Sequence, residues 1–244
     1  MKRFERVASA ELGEEVGVAR WGHFGAPVLL FPTAGGDAEE AERFKMLHVL
    51  EPLLAAGRVK IYSCDSVAGR AWTSGEGSGR RRSAIQSAFD RFVYRELVPW
   101  IRADCDAPEI EVVTAGASIG AFNALAAICR HPDVFSTAVC MSGTYDLTRW
   151  LDDDWNDDFY FSSPLHFVPG LPEGPVLDAL RRRFVVLATG EGRWEAPHES
   201  WWAAKVLGAK GIPNRVDPWG RDWDHDWRTW RAMLPHYLDQ IARD

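Results

Sequence analysis

Two segments near residues 3–10 and 13–21 alternate polar and apolar side chains, the period of a half-buried strand, and predict an antiparallel hairpin. Val28-Leu29-Leu30-Phe31 replaces alternation with a continuous apolar run, the pattern of a strand covered on both faces. It ends in a small-residue loop, Pro32-Thr33-Ala34-Gly35-Gly36-Asp37, and a helical stretch follows to about Ala56. A second buried strand is expected over 59–64, then a polar Gly- and Ser-rich loop over 66–83 and an amphipathic helix near 85–103. Glu111-Val112-Val113-Thr114-Ala115 reads as a strand that runs directly into Gly116-Ala117-Ser118-Ile119-Gly120 and a helix over 119–130. Strands at 137–142, 184–189 and 213–219, with helices at 198–210 and 227–242, complete the pattern. Strands alternating with helices predict an α/β fold with a mostly parallel central sheet and helices on both faces. No internal repeat or linker divides residues 1–244, so one domain is expected. Residues 145–182, rich in Asp, Trp and Pro, interrupt the rhythm; they are too long for a plain connection and are read as a lid or pocket-wall insertion.

Charge and cysteine usage narrow the picture. The formal net charge is −7, which gives no electrostatic reason to expect nucleic acid. The short basic runs Arg80–Arg82 and Arg181–Arg183, and the acidic residues Asp152–Asp154 with Asp157 and Asp158, read as solvated faces. The cysteines at 64, 105, 129 and 140 show no CxxC or zinc spacing; Cys64, Cys129 and Cys140 lie among apolar residues and are expected in the core. No P-loop, dinucleotide fingerprint or metal-ligand set appears, so neither cofactor nor metal is expected. The N-terminus lacks a secretory apolar stretch, and no run reaches the roughly 18–20 apolar residues of a membrane helix. A cytoplasmic protein without a membrane partner is expected; homo-oligomerisation stays open.

The chemistry centres on Gly116-x-Ser118-x-Gly120, because it follows a β-branched strand and opens an Ala-rich helix. A serine on such a sharp turn needs small residues two positions to either side, and the helix N-terminus aims backbone N–H groups at a developing oxyanion. The hydroxyl needs a base, and the base needs an orienting acid. With this elbow the acid and then the histidine follow in chain order. Of the histidines at 131, 166, 198, 225 and 236, His225 lies after the last strand and just before the last helix, where the base belongs. The acid is expected after strand 184–189: Glu195 is slightly preferred, Glu191 is the alternative, and Asp146 and Asp217 are outside choices. The N–H groups of Gly35 and Ile119 are the expected oxyanion donors.

Together these pieces resemble the esterase family of the α/β-hydrolase superfamily that contains esterase D, feruloyl esterases and mycolyltransferases. The resemblance runs along essentially the whole chain. It rests on Leu30–Asp37, on Asp65-Ser66 with Trp72, on Arg95–Ile101, on the elbow with Ala121 and Asn123, and on His225-Asp226-Trp227 preceding Trp230. Thr33-Ala34 stands where the family commonly has His-Gly, and glutamates stand where it usually has an aspartate. The resemblance implies a serine esterase acting on a small-molecule ester through an acyl-enzyme on Ser118. An acyltransferase using the same residues, or a non-catalytic binding module on this fold, are the alternatives. The chain has twelve tryptophans, and several, namely Trp72, Trp150, Trp155, Trp194, Trp223 and Trp227, crowd the loops around the expected site. Trp72 and Trp194 are the expected substrate-binding residues.

Overall fold

In strand β3 (Ala26–Phe31), Leu29 and Phe31 face one apolar core while Val28 and Leu30 face another, so a single run of four apolar residues serves both sides of a sheet. The computed structural model, which describes residues 2–242, repeats this division in β7 (Phe184–Thr189): Val185 and Leu187 face one way, Val186 and Ala188 the other. The sheet has eight strands in the order β1-β2-β4-β3-β5-β6-β7-β8. The others are β1 (Lys2–Ser9), β2 (Glu14–Trp21), β4 (Val59–Cys64), β5 (Val112–Ala117), β6 (Phe135–Met141) and β8 (Asn214–Pro218). The predicted hairpin is β1–β2; β2 also pairs antiparallel with β4, and every later pairing is parallel.

Helix α7 (Ile119–Arg130) lies on one face with α5 (Gly79–Phe92), α6 (Val98–Asp104) and α11 (Pro197–Ala209). The opposite face is covered by α2 (Met46–Val49), α3 (Glu51–Ala55) and α12 (Trp227–Ile241). This is the doubly covered parallel sheet that the pattern predicts. The parallel strands deliver the chain at one edge, where ligands bind in open α/β sheets.

Several local expectations are corrected. The helical stretch before Ala56 is three short helices, α1 (Glu40–Arg43), α2 and α3, broken where Lys45 takes a left-handed backbone with φ 62°. The expected loop 66–83 contains α4 (Val67–Thr73) and the first turn of α5. The helix near 85–103 widens into a π-turn at Val93–Leu97, just before Pro99, which has no N–H to give to the preceding turn. The charge runs are not simply solvated: Arg80 pairs with Asp154, and the buried Arg82 reaches Asp152 and the Trp150 carbonyl. Cys64, Cys129 and Cys140 are buried, as expected, and all four cysteines are free.

Within 145–182 the chain forms a 3₁₀ turn (Thr148–Trp150) and helices α8 (Asp157–Ser162), α9 (Pro164–Gly170) and α10 (Pro175–Leu180). Leu165, Phe167, Val168, Leu177 and Leu180 belong to the main core, so the second half of the segment is pinned to the domain. Leu147, Leu151 and Phe159 form a satellite core with Trp72, Ile119 and Phe122. No helix of the described residues is long and apolar enough to cross a membrane.

Candidate active site

Ser118 links β5 to α7 with φ 57° and ψ −122°, a backbone that costs a non-glycine residue roughly 1–3 kcal/mol. The flanking glycines are required by contact. A Cβ at 116 would lie 2.2 Å from the Gly120 carbonyl oxygen, and one at 120 would lie 2.6 Å from the Phe31 and Pro32 carbonyl oxygens. The turn is therefore wedged between its own helix and the end of β3. Ser118 donates its N–H to the Met141 carbonyl (3.0 Å), while its own carbonyl accepts from Ala121 and Thr144. These bonds set the half-buried serine beside the end of β6.

The loop after β3 is held by two carboxylates to which the sequence assigned no such role, Glu40 and the Asp65 of the resemblance. The buried Glu40 accepts both the N–H (2.8 Å) and the hydroxyl (2.6 Å) of Thr33. Asp65 accepts the N–H groups of Gly17 and Ala38, tying the loop to β2. Gly36 donates to the Thr33 carbonyl, and a Cβ there would meet the Glu40 carboxylate at 2.5 Å. Gly35 is exposed, with open space above it. Against Gly69 of α4 lie both the Ala34 carbonyl and the Ile119 side chain, so this loop and the elbow share one support. The only advance signal for Glu40 was its place seven residues after a threonine, which no pattern distinguishes from a surface acid.

The loops after β7 and β8 lie against each other. Glu191 donates to the Gly220 carbonyl, Gly192 to that of Trp223, and His225 to that of Arg193 (3.0 Å). Glycine is needed for this approach: a Cβ at 190 would sit 2.1 Å from the Trp223 carbonyl oxygen, and one at 192 would sit 2.3 Å from the Asp224 carboxylate. The zipper brings the Glu195 carboxylate to 4.0 Å from Nδ1 of His225, longer than a hydrogen bond. The Glu195 side chain is 1% exposed and that of His225 22%. Glu191 is exposed. Asp146 is engaged by Thr148, and Asp217 by Arg215 and Tyr237. Other histidines have other partners: His131 pairs with Asp90, His166 with Ser163 and His236 with Gln240.

A sequence profile of the family described as "Putative esterase" matches residues 63–241, most of the chain. The chain belongs to this esterase family. No curated protein matches it in sequence. A ferulic acid esterase is similar in structure, with a TM-score of 0.74, 15% identity, and coverage of 100% of this chain and 98% of that one. An S-formylglutathione hydrolase of Agrobacterium tumefaciens gives 0.73 at 14% identity, covering 99% and 94%. A fluorophosphonate-binding serine hydrolase of Staphylococcus aureus, with substrate bound, gives 0.71 at 14%, covering 100% and 99%. These likenesses establish the α/β-hydrolase fold, and family membership makes the protein an esterase.

In this esterase, burial lowers the pKa of His225 below the usual imidazole value, opposed by the Asp226 carboxylate. Burial raises that of Glu195, opposed by hydrogen bonds from Ser142, Thr189 and the Gly190 backbone. The two expected substrate-binding tryptophans part company. Trp72 is fully buried, its indole N–H bonded to Gln86 (3.0 Å), which bonds Asn123 of α7 in turn. It braces the satellite core and has no surface for a ligand, which corrects the expectation. Trp194 is 79% exposed, held out by a left-handed backbone immediately before Glu195.

Proposed function

We propose that Ser118 is the nucleophile of this esterase, His225 its general base and Glu195 the acid that orients the imidazole. The reading rests on the backbone of Ser118, held left-handed at a strand–helix junction on the same sheet edge as the Glu195–His225 pair. Nε2 of His225 takes the serine proton, Oγ attacks the ester carbonyl, and the alcohol leaves with the proton returned by the imidazolium. Water, activated by the same histidine, then releases the acid from the acyl-enzyme. The N–H groups of Gly35 and Ile119 are the oxyanion donors we assign. Gly36 has given its N–H to Thr33, and the first N–H groups of α7 have no acceptor within their own helix. The 4.0 Å separation of acid and base closes to a hydrogen bond when positive charge develops on the imidazole.

The substrate is a small-molecule ester. Residues 145–182 serve as a pocket wall, supported by the core positions of α9 and α10, and Trp194 offers an exposed ring beside the acid. Four free cysteines support a reducing, cytoplasmic setting. Ser118→Ala is expected to abolish turnover of p-nitrophenyl acetate and butyrate, and labelling by a fluorophosphonate probe, while the thermal midpoint is kept. Turnover that survives this substitution would remove Ser118 from the mechanism.

A further inference from the structure

Ser142 follows β6 directly, is 3% exposed, and holds φ 47°, a conformation that glycine adopts without penalty and serine does not. A hydroxyl kept at such a position points to a use for it. Its oxygen accepts the indole N–H of Trp230 (3.0 Å) and its proton goes to Oε1 of Glu195 (2.6 Å). The direction is fixed chemically, because an indole nitrogen can only donate. With Trp230 donating to the oxygen, the serine proton is left for the carboxylate. The opposite carboxylate oxygen, Oε2, is the one facing Nδ1 of His225. Thr189 lies 3.3 Å from Oε2, but its hydroxyl has a closer acceptor in the Gly190 carbonyl (2.9 Å). The Trp230 ring also stands edge-on to the His225 imidazole, with centroids 5.2 Å apart. One indole thus touches both the histidine and the serine that holds its acid.

We propose that Ser142 is a positioning residue: its hydroxyl holds one oxygen of Glu195 so that the other faces His225, and Trp230 sets the direction of that hydroxyl. The assignment rests on the reading of Glu195 as the orienting acid. It adds a fourth side chain to the catalytic set, one reached through the end of β6 and separated from Glu195 by more than fifty residues of sequence.

The test is Ser142→Gly in the full chain, because glycine relaxes the backbone and removes only the hydroxyl. The expected result is an unchanged or higher thermal midpoint and a KM within about twofold, with kcat lowered roughly 10- to 100-fold, the size of one charge-assisted hydrogen bond. Trp230→Phe, which keeps a ring and loses the N–H, is expected to move kcat the same way by a smaller factor. In a Glu195→Ala background Ser142→Gly is expected to cost nothing further, since no carboxylate remains to be held. Wild-type kcat in Ser142→Gly, or the same fold loss with and without Glu195, overturns the proposal while leaving the acid in place. Full kcat in Glu195→Ala alone overturns the acid itself, and the role of Ser142 with it.

Discussion

The elbow at 116–120 and the acid–histidine pair sit at the same sheet edge but are built by different forces. At the elbow, backbone meets backbone: Gly116 and Gly120 leave no room for a Cβ, and the serine between them sits at φ 57°. Around Glu195 and His225, glycines only permit two loops to approach, and the Glu195 carboxylate is then placed by the Ser142 hydroxyl, which Trp230 in turn donates to. Sterics leave no slack; a hydrogen-bonded carboxylate on a loop does. The 4.0 Å gap between Glu195 and His225 is that slack. Substitutions at the two elbow glycines should therefore damage folding and catalysis together, whereas those around Glu195 should damage catalysis while sparing the fold.

Glu195→Gln gives the largest separation of the two effects. It keeps the shape and removes the charge that stabilises the imidazolium, so kcat should fall roughly 10³- to 10⁴-fold. Steady-state kinetics beside a thermal melt measures this, with the exposed Glu191→Gln expected to stay near wild type. A reversal between the two glutamates would move the acid to Glu191.

Gly120→Ala probes the other side. Its Cβ would meet the Phe31 and Pro32 carbonyl oxygens at 2.6 Å, neither of which can swing away. Overpacking of this kind costs roughly 1–3 kcal/mol or more, a fall in Tm of roughly 3–10 °C for a chain of this length. Activity should drop with it; a stable, fully active variant would mean that the elbow is softer than its contacts imply.

The smallest effect is in the pH profile. Burial depresses the His225 pKa, so its neutral, base-competent form persists below the usual value of about 6.5, and the acidic limb of kcat/KM should lie under that value. The Asp226 carboxylate pulls the other way. A limb above 6.5 would show that carboxylates outweigh burial, the condition of a closed Glu195–His225 pair.

Much of this was legible in the chain because local sequence carries it. The double-faced apolar runs of β3, β5 and β7 announced a parallel sheet, and the Gly-x-Ser-x-Gly between a strand and an Ala-rich helix marked the elbow. Trp72 misled, since an indole in a polar loop and an indole under one share the same local pattern. The charge runs misled for a similar reason: Arg82 is buried only because residues 150–154 fold over it.

What the sequence determined by itself was the order of the elements and the residues whose neighbours along the chain dictate their geometry. Hydrophobic period and glycine sterics act over a few positions, so they can be read there. The tertiary structure alone put Glu195 and not Glu191 beside His225, recruited Glu40 and Asp65 to hold the loop after β3, and joined Ser142 to Glu195 and Trp230. Those choices depend on which strand ends meet across the sheet, and hydrogen bonds between distant segments leave no periodic trace in the chain that makes them.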